Sequence, residues 1–217
     1  MQKFDHWWLP SHEKHLQGWM LKVNKRVDGR LTYQYHKYEA MVKHCKQHRI
    51  AVDGGAHCGL FSFWFARDFA SVFAFEPVAE HRACFEKNLT GMTQHVHLKA
   101  MALGAEGGSI SMATEHGSSG NSTVAGKGDI PMVTLDSLEL QNVDCWKLDL
   151  EGWEENALRG GVETLKQWKP VVMVEQKGSM SKRFGLETKG AVTFLKSLGY
   201  VQAVEISGDH VLVHPEA

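Results

Sequence analysis

Short apolar runs alternate with helical stretches along this chain, and acidic or glycine residues cut off the runs, a pattern that few folds accommodate. Ile50-Ala51-Val52 stops at Asp53-Gly54-Gly55, as a buried strand ends in a tight turn. From Leu60 to Phe69 the residues Phe61, Phe65 and Phe69 share one stripe, and Phe63 and Trp64 widen it, which predicts a helix covered on two sides. Ser71 to Phe75 reads as a second strand ending at Glu76-Pro77, and Val78 to Leu89 as a helix with Pro77 near its start. Further strands are expected at His95 to Lys99, Val143 to Leu148 and Val171 to Val174. Helices are expected at Trp153 to Gly160 and Lys189 to Ser197, with a short one at Val133 to Leu138. Tyr200 to Glu205 and Val211 to His214 flank Ser207-Gly208-Asp209 as a hairpin, so the final strand should run antiparallel. The whole is an α/β pattern: a mostly parallel sheet with helices on both faces, whose ligands bind beyond the carboxyl ends of the strands.

Two stretches fall outside the rhythm. Residues 1–35 carry Trp7, Trp8, Trp19, Tyr33 and Tyr35 without clear periodicity, and read as an aromatic-rich N-terminal extension packed on a main domain of residues 36–217. The main domain opens with a helix from His36 to His48, on the spacing of Tyr38, Met41, Val42 and Cys45. Gly104 to Gly128 contains seven glycines and the tract His116 to Ser122, a composition suited to a mobile hairpin or lid.

Charge narrows the function. The 24 basic residues are scattered among 25 acidic ones, which disfavours phosphate-dominated nucleic-acid binding. Lys22, Lys25, Arg26 and Arg30 are the nearest approach to a basic stripe and read as a solvated face. No apolar stretch reaches bilayer length, and Met1 to His6 lacks the features of a signal peptide, so a cytoplasmic protein with no membrane partner is expected. Cys45, Cys58, Cys84 and Cys145 form no C-x-x-C pair, and the 13 histidines include no H-E-x-x-H, so no metal site is expected from either set.

The residues that follow strands carry the chemistry. Aligned on G-x-G-x-x-G, the first loop supplies Gly54, Ala56 and Gly59, so a methyl group stands where a dinucleotide's pyrophosphate would approach the backbone. Asp53 places a negative charge at the expected mouth, repelling a pyrophosphate and attracting an ammonium or sulfonium group. Glu76 ends the second strand 23 residues later, close to the spacing at which a carboxylate accepts both ribose hydroxyls. The plainer readings are a simple strand-to-helix turn for the glycines and a helix-start carboxylate for Glu76.

Together, Val52-Asp53-Gly54-Gly55-Ala56-His57-Cys58-Gly59, Phe75-Glu76-Pro77, Thr134 to Leu138 and Lys147-Leu148-Asp149-Leu150-Glu151-Gly152-Trp153-Glu154 resemble the FkbM-type family of S-adenosylmethionine-dependent methyltransferases. The resemblance runs from about Ile50 to Glu175. It implies a Rossmann-like class I methyltransferase with a seven-stranded sheet, the last strand antiparallel, and S-adenosylmethionine as cofactor. Carried onto this sequence, Asp53, Gly55 and Gly59 shape the methionine end of the pocket, Glu76 holds the ribose, Met101 and Ala102 border the adenine, and Gly54, Ala56, His57 and Pro77 count among the cofactor-binding residues. Asp149 falls near the methyl or amino group. His57 departs from the family's usual Asn, and Trp153 is bulkier than the residue often found after Glu-Gly.

Transfer from a sulfonium needs alignment more than acid–base chemistry, but a hydroxyl acceptor must still lose its proton. Asp149 is the first choice as base, with Glu151, Glu175, His57 and His116 as alternatives; Glu151 and Glu154 also read as helix-start carboxylates. Asp149, Glu151 and Glu175 offer oxygens that suit magnesium or calcium, although no metal is expected. The expected activity is O-methylation of a small molecule or glycan. The rivals are an NAD-dependent oxidoreductase, which Ala56 disfavours, and a non-catalytic cofactor-binding module that uses the N-terminal extension as a docking surface.

Overall fold

The computed structural model describes residues 1–113, 120 and 122–217. The N-terminal segment is built, not irregular. Strands β1 (Gln2–Phe4) and β2 (Trp7–Leu9) form one hairpin and, after helix α1 (His15–Val23), β3 (Arg26–Val27) and β4 (Arg30–Leu31) form another. These elements are two to three residues per strand, too short to display the period-2 pattern on which sequence reading depends. Their side chains enter the main core: Trp7, Leu9 and Met20 are fully buried, and the Trp7 indole donates to the Leu31 carbonyl at 2.6 Å.

Helix α2 (Tyr35–Val42) stops six residues before the expected end at His48. The alternating part then runs β5 (Ile50–Gly54), α3 (Leu60–Asp68), β6 (Ser71–Phe75), α4 (Ala79–Asn88) and β7 (Val96–Lys99). β8 (Ala102–Leu103), β9 (Gly108–Ala113) and β10 (Thr123–Val133) form a small second sheet, in which β9 and β10 are the antiparallel hairpin expected of the glycine-rich stretch. Of the tract 116–122 only Gly120 and Ser122 are described, so the expected lid tip and the candidate base His116 lie outside the described residues. The chain closes with β11 (Val143–Leu148), α5 (Glu154–Arg159), α6 (Val162–Trp168), β12 (Val171–Glu175), α7 (Gly190–Ser197), β13 (Val201–Ile206) and β14 (Asp209–Val213). Helix α6 was not anticipated; Gly160-Gly161 separates it from α5, and the Gly161 Cα packs against the Trp146 ring where a side chain would collide.

The main sheet has seven strands in the order β13-β14-β12-β11-β5-β6-β7. β12, β11, β5, β6 and β7 pair in parallel, whereas β14 is antiparallel to both its neighbours. Alternate side chains of each strand feed opposite layers. Ala51, Cys145, Val171 and Met173 face the layer of α2, α3 and the N-terminal segment, and Val52, Trp146, Val172 and Val174 face the layer of α5 to α7. β5 and β11 lie side by side, and the chain leaves them in opposite directions, so the crevice opens at their carboxyl ends. Among the described residues no helix is long and apolar enough to cross a membrane.

Candidate functional site

A largely apolar cleft sits at those strand ends. Its apolar wall is Leu60, Phe61, Phe75, Met101, Leu103 and Leu150. Gly55, Ala56, His57, Glu76, Pro77, Ala102, Asp149 and Glu151 also line it, while Asp53, Gly54, Gly59 and Glu175 do not.

Asp53 requires a correction. Its carboxylate is fully buried and points away from the mouth, where a free negative charge was expected. Asp53 on β5 and Lys147 on β11 are register partners, and the Lys147 Nζ lies 3.1 Å from the Asp53 carboxylate, above the Phe61 ring. The Ser62 hydroxyl donates to the other oxygen at 2.6 Å. Burial pushes the Asp53 carboxyl up against the pull of Lys147 and Ser62. Burial would likewise lower Lys147, but Asp53 and Asp149 carry its ammonium above the ordinary value. Lys147 lines the cleft and donates to the Gly55 carbonyl at 2.8 Å, so the charge that holds the first loop is a cation that sequence reading missed.

The glycines act through backbone packing. Gly55 has φ +71° and a Cβ there would stand 2.0 Å from the Asp149 carbonyl oxygen, so only glycine lets the first and fourth strand-end loops touch. Gly54 and Gly59 abut Leu148 and the Leu89–Phe85 pair, which places them behind the cleft instead of on its wall.

Glu76 is almost fully buried on the wall and is well supplied with donors. One oxygen accepts the His57 N–H at 2.8 Å; the other accepts the Val78 N–H at 2.8 Å and lies 3.3 Å from the His81 Nδ1. Burial would raise this carboxyl, but His81, His57 and the amide donors hold it below the usual range. The His57 ring packs edge-on to the His81 ring at 4.2 Å, and burial with the nearby His81 lowers His57 to about 4. His57 is therefore neutral at physiological pH.

The fourth loop is clamped from within. Glu154 is fully buried and one of its oxygens accepts the N–H groups of Leu150 and Gly152 at 2.8 and 3.0 Å, closing the turn that carries Asp149 and Glu151. Burial pushes Glu154 up to about 7 despite these bonds. The Trp153 indole donates to the Leu103 carbonyl at 3.1 Å, tying this loop to the one after β7.

Behind the wall, Glu175 at the end of β12 pairs with Asp149. Burial and the Asp149 charge push Glu175 up to about 9. Asp149, which burial alone would raise, is held below the usual carboxylate range by Lys147, by the hydrogen bond from Glu175 and by Lys177. The two carboxyls share one hydrogen bond and are pushed in opposite directions, Glu175 up and Asp149 down. Burial and Asp149 push Glu151 up to about 8. Oxygens of Asp149, Glu151 and Glu175 lie within 4.8 Å of one another, and the positive charge beside them comes from Lys147 and Lys177. Lys177 bridges Glu175 and Asp209, and Asp209 pairs in turn with Lys37 of α2.

The family described as methyltransferase FkbM domain matches residues 53–201. A crystal structure of the methyltransferase FkbM from Methylobacillus flagellatus KT superposes with a TM-score of 0.53 at 16% identity, over 76% of this chain and 43% of that one. This chain therefore spans less than half of that protein. The precorrin-6y C5,15-methyltransferase of Geobacter metallireducens GS-15 matches at 0.52 and 12% identity, over 83% and 90% of the two chains. A Streptococcus mutans protein solved in complex with SAH matches at 0.51 and 8% identity, over 82% and 94%. At such identities the three establish the fold. No curated protein sequence matches the chain.

Proposed function

The chain belongs to the FkbM methyltransferase family, and from that premise we propose that it transfers a methyl group from S-adenosylmethionine to a hydroxyl of a small molecule or glycan. The observation that carries the cofactor reading is Glu76, a carboxylate on the wall of a largely apolar cleft at the switch point of the sheet. The residues fit the group: the cleft pairs apolar walls for a base with a carboxylate for a diol, and a methyl side chain at position 56 leaves the loop unsuited to a pyrophosphate.

When bound, the cofactor supplies an electrophilic methyl on a positively charged sulfur. Glu76 would accept from the ribose, Met101 and Ala102 would border the adenine, and the backbone of Gly55 and Ala56 would hold the methionine tail. Leu60, Phe61 and Phe75 keep water from the reacting centre. Asp149 is the base. Lys147, the hydrogen bond with Glu175 and Lys177 favour its ionised form, so it would take the acceptor's hydroxyl proton as the new O–C bond forms and the S–C bond breaks. Charge balances: one sulfonium and one carboxylate become a neutral thioether and a neutral acid.

Calorimetric titration with S-adenosylmethionine and S-adenosylhomocysteine tests the reading; no heat at high micromolar concentration overturns it. Radiolabelled cofactor incubated with fractionated extract then identifies the acceptor. Binding without transfer to any fraction favours the module that keeps the pocket and not the chemistry.

A further inference from the structure

His81 has no part in the reading above, yet it stands on the cleft wall, almost fully buried, with its ring nitrogen on Glu76. A carboxylate offers about four lone-pair positions, two on each oxygen. On Glu76 three are taken: one on Oε2 by the His57 N–H, and both on Oε1 by the Val78 N–H and by the His81 Nδ1. A vicinal diol held by one carboxylate brings a donor to each oxygen. Oε2 has room for one hydroxyl; Oε1 has none while His81 stays in place.

The three contacts are not equal. The two amide bonds are 2.8 Å and belong to backbone fixed by the strand-end turn, whereas the His81 contact is 3.3 Å and belongs to a side chain at the start of α4. It is the contact that can open. Because Nδ1 faces a carboxylate it carries the proton, and a hydroxyl is both donor and acceptor.

We propose that one ribose hydroxyl inserts between His81 and Glu76, donating to Glu76 Oε1 and accepting from His81 Nδ1, so that His81 is a second ribose-binding residue. Insertion leaves no buried donor or acceptor without a partner, which displacement of the ring would do. The His57 ring packs edge-on against the His81 ring at 4.2 Å.

This inference rests on the cofactor reading of the cleft, and one experiment separates the two. Wild type, His81→Phe and His81→Gln are titrated calorimetrically with S-adenosylhomocysteine and with its 2′-deoxy and 3′-deoxy analogues. Loss of one neutral hydrogen bond corresponds to about a three- to tenfold fall in affinity. His81→Phe should therefore bind S-adenosylhomocysteine about three- to tenfold more weakly than wild type does. It should match wild type for the analogue lacking the inserted hydroxyl, and His81→Gln, which keeps a donor, should restore most of the loss. A merely structural role lowers affinity for all three ligands alike, and that result, or no loss at all, overturns the proposal. Should His81→Phe fail to fold, a crystal structure of the wild type with S-adenosylhomocysteine decides: a hydroxyl between Nδ1 and Oε1 supports insertion, and an unbroken His81–Glu76 contact overturns it. Absence of any wild-type binding instead removes the cofactor reading itself.

Discussion

Replacing Lys147 by Met tests the electrostatic core of the site. The side chain keeps nearly its volume and its packing on Phe61, but the ion pair with Asp53 at 3.1 Å and the bond to the Gly55 carbonyl at 2.8 Å are lost. Breaking one side of a buried ion pair costs about 3–5 kcal/mol, and an orphaned carbonyl adds about 1 kcal/mol. Asp53 escapes part of this by taking a proton while keeping Ser62. The net expectation at pH 7 is a loss of about 3–4 kcal/mol in urea unfolding. The sign of the pH effect follows from linkage: burial raises Asp53 in the folded chain, and removing Lys147 raises it further. The folded variant then binds the proton more tightly than the unfolded chain does. Its stability is greatest in acid and falls as pH rises through the folded value. The deficit relative to wild type should shrink from pH 8 to pH 5, and adding Asp53→Asn should recover about 2 kcal/mol. A deficit below about 1 kcal/mol, or no recovery in the double variant, refutes the account of Asp53 and Lys147 as a buried pair.

Other outcomes can be checked in parallel. Glu76→Ala should weaken S-adenosylhomocysteine binding more than Asp149→Asn does, whereas Asp149→Asn should slow methyl transfer more; calorimetry and a radiolabel assay rank them. Gly55→Ala should lower stability by more than about 2 kcal/mol in thermal unfolding, since its Cβ meets the Asp149 carbonyl at 2.0 Å on a backbone at φ +71°. Glu175 and Glu151 sit near 9 and 8 in the fold against an ordinary 4.5, so the stabilisation of the protonated fold is complete below about pH 4.5 and is lost as pH rises through 8 to 9. The urea midpoint should accordingly fall between pH 6 and pH 9.5, and Glu151→Gln should remove part of that slope.

The strand–helix alternation was legible because β5, β6, β11 and β12 are buried runs ended by acids or glycine, and the closing hairpin announced its turn in Ser207-Gly208-Asp209. The N-terminal hairpins were not, since strands of two or three residues carry no period. The placement of Asp53 failed for a different reason. Position relative to a strand end says that a side chain is near the mouth, not which way it points, and the pleat turned it toward α3 and Lys147. A signal existed: Lys147 interrupts an otherwise apolar end of the run Val143 to Leu148, and a lysine buried in a central strand needs a counter-ion close by. His81 and Glu154 had no such marker, because their roles depend on atoms that only the folded turns bring within reach.

The most direct measurement is the structure of this chain crystallised with S-adenosylhomocysteine. Density for the nucleoside in the cleft, with ribose oxygens within hydrogen-bonding distance of the Glu76 carboxylate and the thioether sulfur toward Asp149, is the expected result. Nucleoside bound elsewhere, or seated with its ribose away from Glu76, contradicts the account.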